Sequence, residues 1–189
     1  MPYRHRVVLF VVTCALSAPL GATVLVPAEF REIVTGSEII AFGRVIDAAA
    51  EWGERRERID TIVTMQVGTY LKGGPGETIE FKVPGGQIGR YRNLMVGAPI
   101  FESGDEAVVF LTARAGDRPT VFGLNQGVFR VRVDALTKQR IVVPPALMAQ
   151  GPSAEVVVRG SAARRSVPLE TFGSQVRTVI ADAAGRGLR

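Results

Sequence analysis

Two short stretches hold the side chains best suited to contact a ligand. One is Pro84-Gly85-Gly86-Gln87-Ile88-Gly89-Arg90-Tyr91-Arg92-Asn93, where a tyrosine stands between two arginines among glycines. The guanidinium groups supply permanent charge and planar hydrogen bonding, and the phenol adds a stacking face with a polar tip. The other is 51–58, where Glu51, Glu54, Arg55, Arg56, Glu57 and Arg58 surround Trp52. An exposed tryptophan is a frequent interface anchor. Arg130 and Arg132 would add a basic stripe if their strand shares that side. Each feature also fits a plainer reading: a solvated loop, a solvated strand face, or a tryptophan folded back onto the body of the domain.

Catalytic chemistry is harder to find. The chain has no G-x-S-x-G elbow, phosphate loop or S-x-x-K, and the glycines at 73, 74, 76, 85, 86 and 89 serve turns. Asp47, Glu51, Glu54, Glu57 and Asp60 could gather a hard cation, but calcium takes about six to eight oxygens and a turn-enforcing pattern that is missing here. Interleaved Arg55, Arg56 and Arg58 make this an ordinary charged loop, so no metal and no cofactor are expected. Carboxylate-only catalysis depends on separation in space and stays open.

The start of the chain bears on the same question. Arg4-His5-Arg6 followed by the apolar run 7–16 and small residues to Gly21-Ala22 has the three regions of a secretory signal peptide. The run is well short of the roughly 20 residues that span a bilayer. With cleavage after Ala22, the only histidine, His5, and the only cysteine, Cys14, leave with the peptide. The exported chain would then lack histidine bases, cysteine nucleophiles, disulfides and the usual zinc ligands. Net charge is +5, two of it from Arg4 and Arg6, which is too small an excess for a nucleic-acid partner.

The elements that must position these residues are mostly strands. At 189 residues, 47% apolar and 22% charged, the chain has the composition of one globular domain. Phe30, Ile33 and Val34 mark a short amphipathic helix after Pro27, stopped by Gly36. Strands are expected at 39–47, with a bend at Gly43; at 59–71, alternating and bent at Gly68; and at 78–83. Further strands are expected at 106–112, 120–124, 128–133 and 140–143, with a short one within 94–101. Phe129, Val131 and Val133 should face inward. A stretch at 146–165 reads as a mobile connection, and Leu169, Phe172, Val176, Val179 and Ile180 form the stripe of a C-terminal helix over 166–185. The fold expected is mainly β: a small OB-like β-barrel of about five to seven strands over 23–145, with a short N-terminal helix and a C-terminal amphipathic helix.

Several phrases carry a resemblance. Ser37-Glu38-Ile39-Ile40-Ala41-Phe42-Gly43-Arg44-Val45, the strand end running to Leu71-Lys72-Gly73, and Gly97-Ala98-Pro99 with Phe101 and Gly104-Asp105-Glu106 resemble a family of uncharacterised secreted bacterial proteins. The same skeleton is similar to the OB barrel of netrin-like domains and tissue inhibitors of metalloproteinases, over roughly residues 33–133. The resemblance implies an inhibitor or interaction module. The N-terminal cysteine with which those inhibitors engage zinc has no counterpart, since the exported chain would begin near Thr23.

The reading that results is an exported, periplasmic or extracellular, monomeric and non-catalytic module that binds a protein or cell-envelope partner, without nucleic acid and without a membrane span. The alternatives are a carboxylate-based hydrolase or lyase, or a purely structural envelope protein. The contact residues expected are Arg90, Tyr91, Arg92, Trp52, Arg130 and Arg132.

Overall fold

The computed structural model describes residues 27–74, 76–145 and 166–186. The signal peptide expected at 1–22 and the connection expected at 146–165 lie outside those residues. In chain order the elements are α1 (Phe30–Thr35), β1 (Ile39–Trp52), β2 (Ile59–Lys72), β3 (Thr78–Pro84), β4 (Gly86–Ile88), β5 (Tyr91–Asn93), β6 (Glu106–Thr112), β7 (Thr120–Val121), β8 (Val128–Val133), β9 (Arg140–Val143), β10 (Val167–Pro168) and α2 (Leu169–Arg186). The protein is mainly β, with one helix near each end of the described chain, as expected.

Five strands close on themselves. β1 pairs with β2, β2 with β3, β3 with β7, β7 with β6, and β6 with β1. All the pairings are antiparallel except β3–β7, which is parallel and joined at one residue pair, Lys82 with Thr120. β8, β9 and β10 extend the sheet outward from β6. The expected OB-like barrel therefore takes the form of a five-stranded ring with a three-stranded extension.

Strands of 14 residues, such as β1 and β2, can wrap a ring only by bending. Three register shifts bend this pair, between Ile40 and Ala41, Phe42 and Gly43, and Val45 and Asp47. Gly43 is required at the second: a Cβ there would stand 2.3 Å from the Gln66 carbonyl oxygen. Gly68 is the residue of β2 left without a register partner at the same place.

β6 shows why an uninterrupted apolar run suits this position. Its Ala107, Val109 and Leu111 point into the ring, beside Val45, Val63, Met65 and Phe81. Val108 and Phe110 point outward into a second core with Ile33, Phe129, Phe172 and Val176. A strand buried on both faces needs both sets of side chains to be apolar. The two helices cover the outer core, and α2 buries Phe172 and Val176 of its predicted stripe, with Leu169, Val179 and Ile180 packed at the margin. Phe30, Phe110, Phe129 and Phe172 meet there at ring separations of 5.0–6.3 Å. α1 is short, held by the Glu29 amide donating to Glu32 Oε2 at 2.9 Å and ended at Gly36.

Five local expectations are corrected. β1 runs on to Trp52, through Ala48-Ala49-Ala50, because β2 offers ladder partners from Ile59 to Thr64 that would otherwise be unpaired. The loop expected around Arg90 is the β4–β5 hairpin, with Gly89 at φ 57° in its two-residue turn. The strand expected at 120–124 stops at Val121, because Gly123 and Leu124 take φ values of 55° and 59° and turn the chain away. No strand forms within 94–101, and Val133, expected inside, is 61% exposed because β8 outruns β6 there, their pairing ending at Arg130.

Candidate functional site

The extension of β1 has a direct consequence for the candidate residues. It carries Trp52 to the tip of the β1–β2 hairpin, and β4 is pressed against the same region, with Gly86 so close that a Cβ would stand 3.1 Å from Ala50 Cβ. The β4–β5 hairpin then sets Tyr91 edge to face against Trp52, ring centroids 5.5 Å apart. Arg56 lies over Trp52 at 5.9 Å and Arg90 over Tyr91 at 5.2 Å, and an Arg90 guanidinium nitrogen donates to the Tyr91 hydroxyl at 3.1 Å. Two loops distant in sequence thus form one row, arginine–tryptophan–tyrosine–arginine. Arg55 and Arg56 both take left-handed φ values, 62° and 58°, a conformation costing an ordinary residue about 1–2 kcal/mol. Strained residues of this kind cluster at binding sites.

Trp52 also borders a polar cleft of about 640 Å³. The cleft lies against the outer side of β2 and β3, where Asp60, Ile62 and Lys82 project, and its far wall is the turn 115–118 between β6 and β7. Its charges are matched. Arg58 Nε donates to Asp60 at 3.0 Å, Lys82 meets Asp117 at 3.3 Å, and Arg118 bridges Glu51 at 3.1 Å and Glu80 at 3.2 Å. The hydrogen bond from Lys82, then its charge, then the Arg118 amide hold the Asp117 carboxyl below its ordinary range, with Arg58 adding to the effect. Asp60 is buried and stays paired with an arginine at the rim.

The other predicted residues are placed differently. Arg92 projects from the face of β5 opposite Tyr91, since neighbouring side chains alternate. Arg130 is engaged structurally: its guanidinium donates to Asp105 at 2.6 Å and to the Ile100 carbonyl, and lies 4.6 Å from the Phe101 ring centroid. Arg132 is exposed farther along β8, opposite Ile141. The structure therefore gathers Trp52, Arg90 and Tyr91 into one row and leaves Arg130 as a neutralised support.

Sequence reasoning missed Lys82, Asp117 and Arg118. Lys82 was legible only as a wet-face residue of a strand, and 114–119 only as a polar turn. Their meeting depends on β3 lying beside β7, which has no local signal.

Among the described residues no group of three or more histidine, cysteine, aspartate or glutamate side chains is placed to hold a metal, and no helix is long and apolar enough to cross a membrane. Comparison with protein families, curated proteins and solved structures gives no match for this chain.

Proposed function

We propose that this chain is an exported, non-catalytic binding module that holds a protein or cell-envelope partner on the face made by the β1–β2 loop, the β4–β5 hairpin and the 113–119 turn. The observation that carries this reading is the Trp52–Tyr91 contact, which sets two aromatic side chains, flanked by arginines, side by side, with Trp52 bordering the polar cleft. Tryptophan, tyrosine and arginine are the residue types that dominate binding hot spots. By analogy of fold alone, OB-type rings bind on the face of their second and third strands and the adjoining loops.

The charge pattern narrows the partner. Glu51, Glu57, Asp60 and Asp117 line the cleft with Arg55, Arg58, Lys82 and Arg118, so it carries no excess of either sign. A phosphate polymer would meet as much repulsion as attraction there, which supports a partner other than nucleic acid. Export rests on the pattern of residues 1–22, and N-terminal sequencing of the secreted protein should begin at Thr23.

The test is capture from the native envelope under mild washing, with a Trp52→Ala/Tyr91→Ala variant alongside. The reading predicts a specific partner with the natural chain and its loss with the variant. Recovery of none, or equal recovery by both, would sink it. A second reading, carboxylate catalysis, draws on Asp60 and Asp117 lining one cleft. Their pairing with Arg58 and Lys82 suits fixed charge better than proton donation, since a general acid needs a raised pKa and Asp117 has a lowered one.

A further inference from the structure

β2 and β3 separate the polar cleft from a second one of opposite character. This trough, about 690 Å³, opens at the mouth of the ring, where the inward-facing Thr61 and Val83 and the ring-core residue Phe101 reach its surface. Its floor is made of small groups, Ala48 and Ala50 of β1 and the backbone of Gly85-Gly86. Its outer wall is the irregular segment 94–101. There Leu94, Met95, Val96 and Ile100 are exposed at 71%, 46%, 67% and 79%. Single exposed apolar side chains are ordinary, but so dense a run beside a concave surface marks a contact site. Mouths of closed sheets, with apolar linings and volumes of about 300–1,000 Å³, are where small molecules bind.

The polar groups around the trough are mostly engaged within the protein. Thr61 Oγ1 donates to the Gly85 carbonyl at 2.7 Å, Asn93 Nδ2 to the Ile59 carbonyl at 3.2 Å, and Gln87 Nε2 to the Gly89 carbonyl at 3.2 Å. Arg92 is the exception. Arg92 lines the trough, is exposed, and has neither an ion pair nor a side-chain hydrogen bond among the described residues.

We infer that the trough binds one molecule of an anionic amphiphile, its chain lying over Ala48 and Ala50 against Val96 and its carboxylate paired with Arg92. An apolar trough selects a chain, and one unpaired permanent cation at its edge selects an anionic head over a cationic or uncharged one. The guanidinium fork matches a carboxylate with two parallel hydrogen bonds. Concavity favours a single free molecule over a bilayer surface. This site lies across the β4–β5 hairpin from Tyr91 and does not depend on the function proposed for the Trp52–Tyr91 face.

The experiment is calorimetric titration of the exported chain with decanoate, decyltrimethylammonium and decyl maltoside, each below its critical micelle concentration. Saturable binding of one decanoate per chain is expected, with no comparable binding of the cation. Arg92→Gln should weaken decanoate at least about tenfold, the loss of a charge-assisted pair, while leaving decyl maltoside unchanged. Val96→Asp should abolish decanoate binding. Both positions are exposed, so matching thermal melts will show that the fold is intact. No saturable heat, equal affinity for the cation, or decanoate binding indifferent to both variants would overturn the inference. So would attachment to anionic vesicles without binding of free decanoate, which would make the surface a membrane contact. A dimer that Val96→Asp converts to monomer, with no decanoate uptake, would reassign it to a second copy.

Discussion

Trp52 and Tyr91 stand edge to face, 5.5 Å between ring centroids, although β2, β3 and β4 intervene between them in the chain. Each ring has an arginine on its outer side. Trp52 is the chain's single tryptophan, so its environment can be read directly. In Tyr91→Ala its emission should move to longer wavelength as water reaches the indole. The stability cost should be modest, about 1 kcal/mol by urea denaturation, because an aromatic pair at the surface contributes about that much.

Gly43 and Gly89 should respond differently to the same substitution. At Gly43 an added methyl would meet the Gln66 carbonyl oxygen at 2.3 Å and Met65 at 2.7 Å, inside the bulge that lets β1 bend. Gly43→Ala should cost about 3 kcal/mol or more, the upper range for overpacking. At Gly89 nothing lies within 4 Å and the penalty is the left-handed φ of 57° alone. Gly89→Ala should cost about 1–2 kcal/mol, and equilibrium unfolding of the two variants separates the cases.

The C-terminal helix should prove integral to the domain. Phe172 is 4% exposed and touches Phe30, Phe110 and Phe129. Phe172→Ala should destabilise the whole chain by about 3–5 kcal/mol in a single cooperative transition. Separate unfolding of the helix before the sheet would contradict this.

Acid stability should depend in part on Asp117. Its carboxyl is held below the ordinary value of 3.8, with Lys82 as the leading cause. A depressed folded-state pKa contributes stability that is full above the unfolded pKa and is lost as pH falls through the folded one. Asp117→Asn should therefore flatten the decline of the urea midpoint below about pH 4 and leave its shape near neutrality unchanged. Asp134, lowered by the Thr137 amide and hydroxyl and the Leu136 amide, acts in the same direction. An Asp117→Asn/Asp134→Asn double variant should be flatter still.

The fold was legible where one residue's surroundings were set by its near neighbours. The unbroken Ala107–Val108–Val109–Phe110–Leu111 run announces a strand buried on both faces, and the Phe172–Val176–Ile180 spacing announces a helix stripe. The end of β1 was not legible, since Ala48-Ala49-Ala50 is a weak strand former held extended by Thr61, Ile62 and Val63 of its partner. The site depends on that hidden extension. Arg90, Tyr91 and Trp52 each stood out as a residue type, but nothing local shows that the two hairpins meet. Arg92 showed the converse: its neighbours in sequence hinted at a shared role, and strand alternation sent it to the opposite face.

One joint of the ring has consequences in time. β1–β2 and β2–β3 are local hairpins, whereas β3 meets β7 through one parallel pair, Lys82 with Thr120, and the Lys82 amide donates to the Pro119 carbonyl at 2.8 Å. Loop-closure entropy opposes such a join more than it opposes a hairpin. It is also the part of the ring held by the fewest hydrogen bonds, so the Lys82 amide should exchange with solvent well before those of β6. The polar cleft, with Lys82 on one bank and Asp117 on the other, spans this joint. Because Phe81 and Val83 of β3 and Val121 of β7 belong to the ring core, opening this joint would widen the cleft and loosen that core together.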